Sequence, residues 1–562
     1  MADFEFPGED AAADDGLEPK KVEPIVSDGG ESEPIPADSG PVPSTSAVPS
    51  PTTAVAPDNS VPYYPEQDPI ESDYDEPAPQ RLGARGAIAV GARILAGTVG
   101  TAVAVGVVAA AGWLPLPSIS YRVPATSVTP VATDQERVCA GPVLRLGTAS
   151  GDSATQVSSI GYPVLDSAAS SGTVGRQSLQ STDDSFGVAP FKITLPPDAA
   201  DPQSVPRLAA SQTQSVSSGD VVGLSAAECR EASGDSWLVG GATVTGRTTL
   251  LTMSNPGTVV ATVTVSIYTE KGVVNAVGAD GIVVPPGGQR VLSLAGFAPG
   301  AISPVIRVQS TGSQVVSNLQ ESVVRTLDPG GVDIVGTGAG PSKTTVIPGV
   351  VLSDMAEVMA RAAADGNADL LPALRLLAPG TASVKARITV TPETGTAKPT
   401  TINVTLSPAM VSEVSLGAFK DGTYSITVSS DAPVIAGARA STIGAAGATD
   451  LAWFSSTALS AKTALVAVAG GPSPTMHLAN STTATASVTV KAQGVPTRTV
   501  SVPAGKTVAV PVAGSTNYTV ASPVGLRIAV SYFGDGALAS FGVTPSGPNS
   551  QPITVYPERP EE

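Results

Sequence analysis

Histidine occurs once in this 562-residue chain, cysteine twice, and aromatic side chains make up only 4% of it. A lone histidine and two cysteines do not supply the four-ligand set of a structural zinc site. No Gly-x-Ser-x-Gly elbow, Gly-x-Gly-x-x-Gly turn or complete Gly-x-x-x-x-Gly-Lys-Ser/Thr phosphate loop occurs. The local signatures of serine hydrolases, dinucleotide binders and P-loop enzymes are therefore missing. Asp280-Gly281, Asp328-Pro329-Gly330 and Asp421-Gly422 read as acidic turns, too scattered for an EF-hand. The expectation is no catalytic, cofactor-binding or metal-ligating residue and no cofactor. His477, alternating with Met476 and Leu478, is read as a surface or edge residue of a strand. Carboxylate pairs for glycan cleavage converge only in three dimensions, so that chemistry stays open.

Basic residues are also scarce, 31 against 49 acidic ones, for a net charge of −18. Residues 1–80 hold 19 of the acids and only Lys20 and Lys21, a net of −17. That segment, rich in Pro, Ser, Asp and Glu, buries too little apolar surface to offset its chain entropy and reads as disordered. Its charge argues against nucleic acid and against an anionic membrane surface. Aromatics embedded in acids, from Tyr63 to Glu76, mark a docking or phosphorylation segment or a solvated spacer.

What the chain does have is one run of 21 uncharged residues at 94–114, from Ile94 to Leu114. About 20 helical residues cross the hydrocarbon core of a bilayer. Arg81, Arg85 and Arg93 precede the run, Trp113 sits at its far end, and the next basic residue is Arg122. Positive charge before the span keeps the N-terminus in the cytoplasm, and the indole favours the far interface. Ala109-Ala110-Ala111 also offers a signal-peptidase site, but about 90 residues precede the span, so an uncleaved single-pass signal anchor is expected. Small residues at Ala92, Ala96, Gly100 and Ala104 form a stripe on which a helix-mediated homodimer is an option.

Beyond residue 118 Val, Thr, Ala, Ser, Gly and Pro dominate, and apolar alternation with period two recurs, as in VATVTVSIY (260–268) and ASVTVKA (486–492). An internal repeat links 250–265, 374–390 and 476–490, with Asn255, Ala378 and Asn480 at matching positions. The fold class expected is mainly β, with tandem immunoglobulin-like antiparallel sandwiches; a propeller is the alternative, without its 40–50-residue period. Residues 353–371 carry a helical pattern, with Asp354 placed to cap it and Gly366 to end it. The expected plan is an acidic cytoplasmic tail (1–85), an anchor helix (86–116), and a linker with a disulfide-containing β-rich region (117–245). Sandwich units follow at 246–345, 373–460 and 461–546, with a helical connector at 346–372 and a disordered tail at 547–562.

Cys139 and Cys229 both follow the span, where a disulfide tying 123–235 to the first sandwich is the simplest reading and two free thiols the other. Ala227-Glu228-Cys229-Arg230, Asp235 to Gly241, and Leu251 to Asn255-Pro256-Gly257 resemble the DUF5719 family of actinobacterial envelope proteins. The likeness spans roughly 125–545 and implies an extracytoplasmic location and the pairing of Cys139 with Cys229, and it brings no catalytic residues. Three functions follow in order: a non-enzymatic membrane protein whose outer part binds a cell-wall polymer or envelope protein, a transmembrane signalling relay reporting through the acidic tail, and a wall-glycan enzyme.

Overall fold

Valine and threonine alternate through most of the chain after residue 134, and β-branched side chains suit a pleated, half-buried surface. The computed structural model describes residue 102, which is helical, and 126–128, 134–147, 156–183, 188–197, 206–545 and 553–555. Ser120–Glu562 is one compact body, and it is mainly β. The expected acidic tail and membrane span, with Arg81, Arg85, Arg93, Trp113 and the small-residue stripe, lie outside the described residues, Ala102 apart. Among the described residues no helix is long and apolar enough to cross a membrane.

Three successive units share one topology. They run from Asp235–Val239 to Asp328–Gly336, from Ser342–Leu352 to Thr449–Ser455, and from Thr463–Val468 to Ala537–Gly542. Each folds its strands into two antiparallel sheets with eight positions, in the spatial orders one-six-three-four and eight-seven-two-five; in unit one the fourth position is split into Gly272–Val274 and Ile282–Val284. In unit two the sixth and seventh fuse into Gly422–Ile443, a 22-residue strand that passes from one sheet to the other. Alternate residues fill the space between the sheets: Leu251, Val263 and Ile306 in unit one, Leu374, Ile388 and Ile426 in unit two, Met476, Val488 and Val520 in unit three.

The repeat noticed in the sequence is a physical device. Asn255 Nδ2 donates to the carbonyls of Val259 (2.8 Å) and Val284 (3.1 Å), while its Oδ1 accepts from Gly257 N at 3.0 Å. Asn480 does the same with Ala484 (2.8 Å), Val502 (3.0 Å) and Thr482 N (3.0 Å). One side chain thus pins the turn after the second strand to the end of the fourth. In unit two Ala378 stands there, and its carbonyl instead accepts from Ala409 N at 2.8 Å.

Residues 134–228, expected as linker and β-rich region, carry the same order of pairings. Gln135–Val138, Phe191–Leu195 and Gly175–Ser178 make a one-six-three sheet. Val221–Glu228, Leu208–Ser218 and Val164–Ala169 make an eight-seven-two sheet. This is a fourth, shortened unit, in which no counterpart of strands four and five occurs among the described residues, so the sandwiches number four rather than three. Cys139 and Cys229 are bonded, and they join the end of its first strand to the end of its eighth. The bridge therefore closes one unit on itself, instead of tying a loose region to the next.

The four units close into a ring. The first strand of each packs on the seventh strand of the next: Val138 on Val316, Val239 over Gly437, Gly349 over His477 beside Arg527–Gly534, and Ala467 on Ser211. The last contact joins unit three to the shortened unit and completes the cycle. The four eighth strands pack on one another, each against two neighbours, around the axis of the ring.

The helix covers Met355–Ala362 and lies between the first and second strands of unit two, inside the unit and not between units. Asp354 sits at the cap position in a left-handed conformation (φ 54°) and makes no side-chain cap bond. Asp421, from a turn distant in sequence, accepts from Met355 N at 2.8 Å, and Asp354 accepts from Thr442 Oγ1. The helix stops at Ala362, before Gly366. Ile553–Val555, within the tail expected to be disordered, pairs antiparallel with Thr126–Val128.

Candidate functional site

Polar side chains on the outer faces of these sheets meet a neighbouring unit. Thr475–Ala479 is a central strand, paired with Thr507–Pro511 and Arg527–Gly534. Met476 and Leu478 face the core of unit three, so His477 faces out, as its alternation requires. That outer face is covered by strand Ser342–Leu352 of unit two, and His477 is 1% exposed. The expectation of a surface or edge histidine fails for this reason. Gly349 (φ +76°) lies over the ring, where a Cβ would overlap the imidazole.

His477 Nδ1 lies 2.6 Å from Glu393 Oε2 of unit two, and Nε2 lies 2.8 Å from Ser531 Oγ of unit three. Glu393 also accepts from Ser425 Oγ (2.6 Å) and Gly349 N (2.8 Å). Burial alone raises a carboxyl pKa, but here the imidazole and the other donors outweigh it and hold Glu393 below its usual value. Serine, histidine and carboxylate stand in the order of a hydrolase triad. Ser531, however, is 2% exposed, in a strand hydrogen-bonded on both sides. The cavity at this junction, ≈ 260 Å³, is bordered by Glu393, Ser425, Lys506 and Thr507 and does not touch Ser531. A substrate entering it meets the acid end of the line and not the nucleophile. The arrangement can fasten two units together.

Arg375 occupies the matching position of unit two, three residues before Ala378 as His477 is three before Asn480. Its Nη1 donates to the carbonyls of Gly241 (3.0 Å) and Pro304 (2.9 Å) in unit one, and Nε to Glu413 at 2.8 Å. The guanidinium stands 4.5 Å from the Trp453 ring, a cation–π contact in a dry setting. Trp453 Nε1 donates to Glu321 Oε2 of unit one at 2.7 Å. Burial pushes Glu321 up, against the opposing pull of Arg439 and this indole.

At the axis, Asp450 accepts from Leu224 N (2.9 Å), Val332 N (3.3 Å) and Leu538 N (3.0 Å), one donor from each of the other three eighth strands. Burial pushes its carboxyl up to about 8, against the pull of these N–H bonds. Gly223 (φ +149°) permits the approach, because a Cβ there would fall on the carboxylate. Asp333 receives Trp453 N at 2.7 Å and is likewise raised by burial. Asp333 and Asp450 are fully buried and border none of the cavities described here.

Beyond the ends of the eighth strands lies a second cavity, ≈ 290 Å³, bordered by Arg230, Trp237, Thr337, Ser456, Thr457 and Thr544 among others. All four units contribute to it. Arg230 donates to Thr337 and to the Gly542 carbonyl (3.0 Å), tying three of the four exits together. Glu228 accepts from Thr544 N and lies 3.4 Å from Arg230. Of the other residues singled out from sequence, Asp280 accepts from Thr264, Asp421 caps the helix, and Asp328 opens a strand. Among the described residues no group of three or more His, Cys, Asp or Glu could hold a metal ion. Sequence reasoning missed Arg375, Asp450 and Ser531, which lie in strands, and Glu393, just past the end of one; no sequence pattern links them.

The DUF5719 family, described as a family of unknown function, matches residues 193–513, more than half of the chain. The chain belongs to this family. The matched stretch begins in the sixth strand of the shortened unit and covers units one and two and part of unit three. No curated protein matches. The crystal structure of Thermotoga maritima 1070 is similar at 21% identity over 21% of this chain and 93% of that one, with a TM-score of 0.17. The sandwich assignment accordingly rests on the strand pairings.

Proposed function

We propose that this protein is a non-enzymatic, single-pass membrane protein whose ring of β-sandwiches lies outside the cytoplasm and binds a cell-wall polymer or an envelope protein. The observation that carries the reading is the use to which its reactive groups are put. His477, Glu393, Arg375, Asp333 and Asp450 all serve junctions between units, and Ser531 has no approach for a substrate. What remains is a rigid body with a concave site at the axis, where several units meet, and such places favour ligands. The Cys139–Cys229 bond supports an oxidising compartment. The uncharged run at 94–114, with arginines before it, supports the anchor.

Crosslinking in intact cells followed by mass spectrometry tests the binding role. Wall fragments or one envelope protein should be captured by the part after Leu114. A reporter fused after Leu114 that stays in the cytoplasm would overturn the location and the role with it.

A further inference from the structure

The outer face of the first sheet of unit two holds positive charge that the fold leaves unmatched. Ala386, Ile388 and Val390 of its third strand enter the core, so Lys385, Arg387, Thr389 and Thr391 face out. The neighbouring strands continue this face in register. Arg387 stands between Asn403 of the fourth strand and Ser429 of the sixth, with Thr344 of the first beyond them. One step along, Thr389 stands between Thr401 and Thr427.

Two clefts lie on this face. The wider, ≈ 740 Å³, is bordered by Lys385, Arg387, Asn403 and Ser429. The other, ≈ 260 Å³, is bordered by Thr389, Thr391 and Thr427 and, from the facing turns of unit three, Ser481 and Lys506. Arg387 and Thr389 are successive outward residues of one strand, and Thr427 and Ser429 of another, so one cleft runs into the next. From Lys385 to Thr391 the track is about 20 Å long, at roughly 3.3 Å per residue.

Arginines elsewhere are engaged, as Arg145 is with Asp220, Arg247 with Asp369 and Arg307 with Asp235. Lys385, Arg387 and Lys506 are exposed, and their side chains make no hydrogen bond, ion pair or ring contact among the described residues. Two carboxylates border the track. Asp431 accepts from Lys385 N at 3.0 Å, and Glu393 is turned to His477 and Ser425. A lone exposed lysine is ordinary, but three unmatched cations along one hydroxyl-lined track give it a sign.

We infer that this track binds a carbohydrate polymer bearing phosphate or carboxylate groups. The cations take its anions, and the threonine, serine and asparagine side chains take its hydroxyls. The inference rests on the wall-polymer reading above and adds a surface apart from the axial cavity, where Arg230 is already matched by Glu228. No aromatic ring borders either cleft, so nucleobases have no platform on which to stack.

Calorimetric titration of the full-length chain with alginate, poly(glycerol phosphate), neutral dextran and oligothymidylate tests this. Alginate or poly(glycerol phosphate) should bind, and which of them does so tells carboxylate from phosphate; dextran should not. Lys385→Gln with Arg387→Gln should weaken the bound polymer about tenfold through two exposed charge contacts. Lys271→Gln with Lys491→Gln removes the same charge elsewhere and should leave the affinity as it was. The melting temperature of the first double variant should hold, since neither side chain has a partner to lose. If it falls, Lys506→Gln repeats the test from the facing turn. Failure of both anionic polymers to bind overturns the inference, as does equal binding of dextran or of oligothymidylate. An equal affinity in both double variants, or an equal loss, overturns it too. Sedimentation with purified cell wall separates the two ideas. If the Lys385→Gln, Arg387→Gln variant co-sediments like the parent, the track is excluded and wall binding stands; if the parent does not co-sediment, the wall-polymer reading fails.

Discussion

The carboxylate of Asp450 in unit two takes the Leu538 amide of unit three at 3.0 Å and the Leu224 amide of the shortened unit at 2.9 Å. A single side chain thereby holds strands that belong to separate sandwiches and that share no sheet. The ring depends on such contacts, because the eighth strands meet through side chains rather than through a common ladder.

Asp450→Asn replaces an acceptor with an amide that turns N–H toward N–H. The expected loss is about 3 kcal/mol, from buried groups left without partners, read by chemical denaturation. The pH dependence follows from the raised value. Unfolded, the group titrates near 3.8; folded, at about 8. Its stabilising contribution is full below pH 3.8 and falls as pH rises toward 8, by about 1.4 kcal/mol per pH unit. Asp450→Asn should flatten this slope, and an unchanged slope would show that another group carries it.

His477→Ala leaves the Glu393 carboxylate enclosed between two units without its imidazole. Removal of one member of a buried pair costs about 3–5 kcal/mol, and proteolysis near Gly349 should report a loosened junction. Glu393 has a lowered folded pKa, so its contribution is present above its unfolded value of 4.5 and is lost as pH falls through the folded one. Melting curves between neutral and acid pH should show the loss in the parent and not in Glu393→Gln.

Cys139 and Cys229 are 1% and 0% exposed. A reductant without denaturant should leave the bond intact, as mass spectrometry after alkylation would show. Cys139→Ser with Cys229→Ser releases a closure of 90 residues, at a cost of roughly 4 kcal/mol by the loop-entropy account.

Asn480→Ala removes a side chain that makes two donated bonds and two accepted bonds across a turn. A loss of about 2 kcal/mol is expected, and Asn255→Ala should give a similar value, because Asn255 makes the same three bonds to the backbone, with Ser313 Oγ in place of Thr482 Oγ1 as the further donor. A much smaller effect at either site would mean that the turn holds by its backbone alone, as at Ala378.

The strands of units one to three were legible in sequence because period-two alternation and the Asn turn are local. Each is set by residues close along the chain, and burial between two sheets enforces them. The shortened unit was not legible. Among its described residues there is no counterpart of strands four and five and no asparagine turn, so the repeat seen in the others has no match there. The helix at 355–362 was visible in its pattern, but its cap was not, since Asp421 arrives from a remote turn.

By itself the sequence determined which side chains point into a sandwich and which point away: Met476 and Leu478 inward, His477 outward. Tertiary structure alone decided what lies beyond the outward face. There strand Ser342–Leu352 of another unit replaces water, and a histidine that alternation marks as solvated becomes a buried fastening. The reason is physical. Alternation records one buried face of a sheet, whereas the partner of the second face comes from ring closure, a long-range property with no period along the chain.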